Sequence, residues 1–263
     1  MSHYDYLNSL SSMCIFVDHA AKNGWDVDEW EVSPAALDAV VTTYRQILLI
    51  GELSEEIQKV LEADGIDLDS LLRDDASAVE KLTRADLTEI AAAASMIARE
   101  GAAVETMLMP NVPKGERSTS CPGIDIMAVC LRSRENVPDL LDGEMFYICS
   151  VKHTISDPSD LRYKLVDSLA QQNLNRAYFA SQLRLLHGRL ADQGLRCDRL
   201  LLAVTSEGAQ RHVKLIAVGA LDIRQREAFI RQMNNLPEVP PGKRRFRHLL
   251  INDIAALHTL VQP

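Results

Sequence analysis

Apolar positions along this chain change rhythm near its middle. In residues 4–23, Leu7, Leu10, Cys14, Phe16, Val17 and Ala20 approach helical spacing and predict a helix. Ser33-Pro34 places a capping residue before a proline at the first helical position. It predicts a second helix to about residue 50 that buries Leu37, Val40, Val41, Tyr44, Leu48 and Leu49. A third helix is predicted over 53–63, ending at Asp64-Gly65, and the Asp- and Ser-rich stretch 64–86 predicts short helices and turns. Residues 83–109 contain the run Ala91, Ala92, Ala93, Ala94 and no proline, which predicts one long helix weakened at Gly101.

Beyond residue 120 strand-like runs appear. Residues 124–131 and 145–151 are compact and apolar, and the connector between them carries Pro138, Asp142 and Gly143, which is hairpin-loop composition. The polar turn at 156–160 suits the start of a long helical stretch over 161–192. Residues 200–205 and 213–221 read as buried strands, 222–234 as a helix and 252–261 as a packed terminal helix.

Charge divides the chain. The net charge is -9, yet residues 1–100 hold 20 acidic and 7 basic side chains, while 101–263 hold 17 and 21. An acidic helical region, 1–82, is therefore expected to dock or regulate, and the mildly basic 83–263 to form the main domain. No apolar run nears the roughly 18 residues that cross a membrane. The start has no secretory pattern, so a cytoplasmic setting is expected. Five cysteines without Cys-x-x-Cys spacing argue against a disulfide framework or a structural zinc site.

The chemistry-bearing residues cluster between positions 121 and 154. Asp125 follows Pro122-Gly123 at the mouth of the first run, and Lys152 ends the second. Strand alternation puts Ser150 and Lys152 on one face, Cys149 and Val151 on the other, and antiparallel pairing would set Asp125 across from Lys152. Buried charges are normally paired, solvated in a cleft or bound to metal. A surface salt bridge is the plain alternative.

This stretch resembles the PD-(D/E)xK nuclease superfamily, in which a Pro-Gly-Ile-Asp strand entry precedes a strand ending in Glu-x-Lys or Gln-x-Lys and then a long helix. The likeness covers roughly 83–205. It implies an α/β restriction-endonuclease-like fold: a mixed sheet flanked by helices, in the order αβββαβ, with a short first strand within 111–120. It also implies DNA as substrate and Mg²⁺ or Mn²⁺ as cofactor. The metal would be held by Asp125, the Val151 carbonyl and a carboxylate of the preceding helix, Glu105 in preference to Glu100. Lys152 would position water or stabilise the transition state. Ser150 stands where the acid or amide belongs, and a neutral hydroxyl is a poor substitute for an anion. Three accounts stay open: an active variant that borrows Glu105 or Glu100, a degenerate site, or an acid removed by engineering.

The Ser-Val-Lys-His-Thr ending and the N-terminal extension are similar to bacterial anti-phage defence nucleases, such as the HamA subunit of Hachiman systems or nuclease effectors of cyclic-nucleotide-triggered systems. That likeness implies a protein partner, a helicase or other ATPase. The competing expectations are a nuclease-fold module that binds DNA or a protein without cleavage, and an interaction protein whose acidic helices are its working surface. Lys243, Arg244, Arg245 and Arg247, interleaved with Phe246 and followed by His248, form the strongest local nucleic-acid footprint. The alternative for 247–251 is an edge strand guarded by charge.

Overall fold

In the computed structural model the described residues are 11–12, 14–22, 25–32, 63–64, 84–100, 106–108, 125–133, 135–154, 157–174, 180, 183–184, 186–188, 190–191, 196–202, 212–235 and 244–251. They form a mixed α/β structure around one seven-stranded sheet. The strands are β1 (Cys14–Lys22), β2 (Trp25–Val32), β3 (Thr106–Leu108), β4 (Ile126–Cys130), β5 (Met145–Thr154), β6 (Val213–Asp222) and β7 (Arg244–Ile251). Their order across the sheet is β1-β2-β7-β6-β5-β4-β3. The helices are α1 (Arg84–Glu100), α2 (Pro158–Leu174) and α3 (Arg226–Met233). Among the described residues no helix is long and apolar enough to cross a membrane.

The N-terminal helix expected over 4–23 is corrected, because its second half is strand β1, paired antiparallel with β2. Lys22 pairs with Trp25, so the connection is the dipeptide Asn23-Gly24, whose composition favours a two-residue hairpin turn. Ile15, Phe16 and Val17 are residue types that favour a pleated surface, and this overrode the loose helical spacing. β2 pairs in parallel with β7, so the sheet draws strands from both sides of the expected boundary at 82/83. The helices expected over 33–50 and 252–261, and nearly all of that over 53–63, lie outside the described residues.

The long helix expected over 83–109 ends at Glu100, immediately before Gly101, and β3 follows at Thr106–Leu108. β3 stands upstream of the interval 111–120 where a first strand was expected, and that interval is outside the described residues. β3, β4 and β5 run antiparallel, and β6 lies parallel to β5 after the α2 connection. The strand expected over 200–205 begins instead as a 3-10 turn, Asp198–Leu201. A short apolar run does not by itself separate strand from helix, and this one directly follows Arg199, which the turn buries.

Register assigns the faces. Val27, Ala217 and Leu221 pack with Leu161 and Leu165 of α2 and with Phe229 and Met233 of α3. On the same face, Met127, Val129, Phe146 and Ile148 pack with Leu183, Leu186, Leu190 and Leu200. The opposite face carries Ile126, Cys149, Val151 and Val218, all buried, and there Arg99 of α1 reaches Asp28 of β2. With apolar residues covered on both faces, the central strands are interior ones.

Candidate functional site

Ile126 pairs with Cys149, and the Asp125 amide donates to the Cys149 carbonyl at 3.0 Å, so the next position across from Asp125 is Ser150. Lys152 is therefore the diagonal neighbour of Asp125, not its direct partner. Ser150 lies in register with Ala217 and Lys152 with Gly219, on the face covered by α2.

One oxygen of Asp125 gathers the site. Asp125 Oδ2 accepts the Val151 amide at 2.6 Å and the Ser150 hydroxyl at 3.3 Å, and stands 3.8 Å from Lys152 Nζ. The same ammonium donates to the Val151 carbonyl at 3.2 Å. Asp125 and Ser150 are buried, whereas the Lys152 side chain keeps 34% of its exposure. The antiparallel hairpin thus brings Asp125, Ser150, Val151 and Lys152 together at one end of the sheet, with one cation open to solvent.

Beyond β5, the Asp157 amide donates to Thr154 Oγ1, and the Asp157 carboxylate accepts the amides of Ser159 and Asp160. This caps α2 immediately downstream of Lys152. Gly219, the register partner of Lys152, lets α2 approach the sheet closely: a Cβ there would stand 2.8 Å from Leu165 Cδ1.

A hard divalent cation takes oxygen ligands, usually with one or more carboxylates and retained waters. Asp125 supplies one carboxylate, and both Asp125 Oδ2 and the Val151 carbonyl already face the Lys152 ammonium. Among the described residues no three His, Cys, Asp or Glu side chains are grouped to hold a metal ion. The described residues alone therefore do not fit a Mg²⁺ or Mn²⁺ site. Glu105 lies outside the described residues, as does the side chain of Glu100, and α1 covers the face opposite Asp125.

The edge strand offered as the alternative for 247–251 is corrected, because the basic run falls on an internal strand. Lys243 is outside the described residues, while Arg244, Arg245 and Arg247 belong to β7, an internal strand between β2 and β6. Arg245 lies in register with Asp26, Arg247 with Asp28 and His248 with Glu29. β7 is therefore not an edge of the sheet.

Two buried ionic clusters escaped the sequence reading. Asp28 and Glu29, adjacent on β2, serve opposite faces: Asp28 meets Arg99 at 3.1 Å and His19 at 2.6 Å, and Glu29 accepts Arg226 of α3. Their signal is the alternation in Trp-Asp-Val-Asp-Glu-Trp-Glu-Val at 25–32. Glu144, just before β5, pairs with fully buried Arg199 at 2.7 Å and accepts the amides of Arg132 and Leu141. Arg199 also donates to the carbonyls of Ser133 and Glu135, tying the hairpin connector to the 3-10 turn. Its only sequence signal is an arginine at the head of the apolar run 200–205. Burial pushes the Glu144 carboxyl up, but Arg199 and the two amides outweigh burial and hold it below the ordinary carboxylate value. No family model matches the chain, and no curated protein matches it.

Proposed function

We propose that this chain is a nuclease-fold module of the PD-(D/E)xK kind that engages DNA at the Lys152 end of its sheet and does not cut it unaided. In this reading it acts as a subunit beside a partner such as a helicase or other ATPase. The observation that carries it is the composition of the cluster: beside the Lys152 ammonium, Asp125 meets the Ser150 hydroxyl at the position where a cutting site would carry a second acid. The order of one helix, three antiparallel strands, a helix and a strand parallel to the third supports the superfamily assignment. DNA as the ligand comes from that resemblance. Lys152 supplies the partly exposed ammonium for a phosphate oxygen, while Asp125 and the Val151 carbonyl orient it.

A second reading, a metal-dependent phosphodiesterase of anti-phage defence, is favoured by the convergence of Asp125 with Lys152. It requires Glu105 or Glu100 as an added carboxylate. The two readings separate in one experiment with linear, nicked and supercoiled DNA, Mg²⁺ or Mn²⁺, and the intact chain beside Asp125→Ala and Lys152→Ala. Binding that weakens in Lys152→Ala, with no products, is the expected result. Cleavage lost in both variants would install the phosphodiesterase instead, and neither binding nor cleavage would remove DNA from the proposal.

A further inference from the structure

We infer that position 150 decides whether this site accepts a divalent cation: Ser150 leaves the Asp125–Lys152 pair without net charge, and a carboxylate there would create a cation site. The inference rests on the non-cutting reading above and names its cause. Ser150 stands directly across the strand pair from Asp125, only 2% exposed, with its hydroxyl directed at Asp125 Oδ2 over 3.3 Å. A longer acidic side chain at this position would start from the same face and the same end of the sheet as Asp125.

The two oxygens best placed for a cation are Asp125 Oδ2 and the Val151 carbonyl. Lys152 Nζ approaches both, at 3.8 and 3.2 Å, and so takes the electrostatic seat of the ion. A divalent cation entering here would face a unit positive charge in a partly desolvated setting with only one opposing carboxylate among the described residues. Adding a second anion at 150 reverses that balance. So does removing the ammonium, though with fewer ligands.

Mn²⁺ titration of the full chain, with the free ion followed by electron paramagnetic resonance, tests this. The wild type should match Asp125→Asn. Ser150→Glu, or the shorter Ser150→Asp, should gain a saturable site at least about tenfold tighter, which disappears in Asp125→Asn/Ser150→Glu. Lys152→Met, at a partly exposed position, should gain affinity in the same direction and carries the test if neither acidic variant folds. Folded Ser150→Glu without a new site would overturn the inference while leaving the non-cutting reading intact. A wild-type Mn²⁺ site abolished by Asp125→Asn would overturn both.

Discussion

Asp125 accepts the Val151 amide at 2.6 Å, so the carboxylate at the mouth of β4 completes the backbone hydrogen bonding of β5. This gives Asp125 a structural duty separable from any chemistry. Asp125→Ala should destabilise the fold by about 1–3 kcal/mol, because it strands a buried amide, whereas Asp125→Asn retains an acceptor and should lose less. Equilibrium urea unfolding measures both, and equal losses would contradict the assignment. On DNA, Asp125→Asn should bind no more weakly than wild type, since it releases Lys152 from its counterion. A clear loss of affinity would point to the phosphodiesterase reading.

The buried Arg199–Glu144 pair sets an acid limb on stability. The Glu144 carboxyl is held below its ordinary value of 4.5, so the folded state binds fewer protons there than the unfolded chain. Its contribution is complete above that pH and is lost as pH falls through the depressed folded value. Asp222 acts in the same direction, held low by its hydrogen bond and ion pair with Arg224. Glu144→Gln leaves Arg199 buried without its counter-charge and should lose about 3–5 kcal/mol at neutral pH. Its stability should also fall less steeply than wild type below pH 4.5, as read by chemical unfolding across the acid range.

The arginines of β7 should matter more to strand register than to DNA. Arg245 and Arg247 pair in register with Asp26 and Asp28, and opposite charges in neighbouring strands are each worth about 0.2–1 kcal/mol. Replacing both by Gln should lower unfolding stability by roughly that sum. The slope of log affinity for DNA against log salt should stay unchanged, whereas replacing an arginine that neutralises a phosphate would reduce it by about 0.9. A reduction of that size would restore the nucleic-acid footprint that the basic run suggested.

What the sequence made legible follows from the range of the interactions involved. The β4/β5 hairpin was readable because its apolar runs, its connector and its alternation are local, and they brought Asp125, Ser150 and Lys152 to one face. Strand β1 was misread because Phe16, Val17 and Ala20 fit two periods at once, and Asn23-Gly24 was the deciding local signal. The arginine partners of Asp28, Glu29 and Glu144 lie 71, 197 and 55 positions away, at Arg99, Arg226 and Arg199. No window along the chain contains such pairs. The place of the basic run in the sheet was not legible, because nothing local says that β7 has a strand on each side.

Gly219 offers a test of how α2 is seated beside the site. It is the register partner of Lys152, and an added Cβ would meet Leu165 Cδ1 at 2.8 Å and Leu161 Cδ2 at 3.3 Å. A leucine methyl on the surface would simply rotate away. Here both leucines are fully buried, so the displaced methyls must enter a filled core or lift α2. Gly219→Ala should therefore cost about 1–3 kcal/mol. If the cause is this contact, trimming the neighbour by Leu165→Val should be less harmful in the Gly219→Ala background than in wild type. A double-mutant cycle then gives a favourable coupling of at least about 0.5 kcal/mol. Additive losses would mean that the glycine is required by the backbone of β6 and not by the approach of α2.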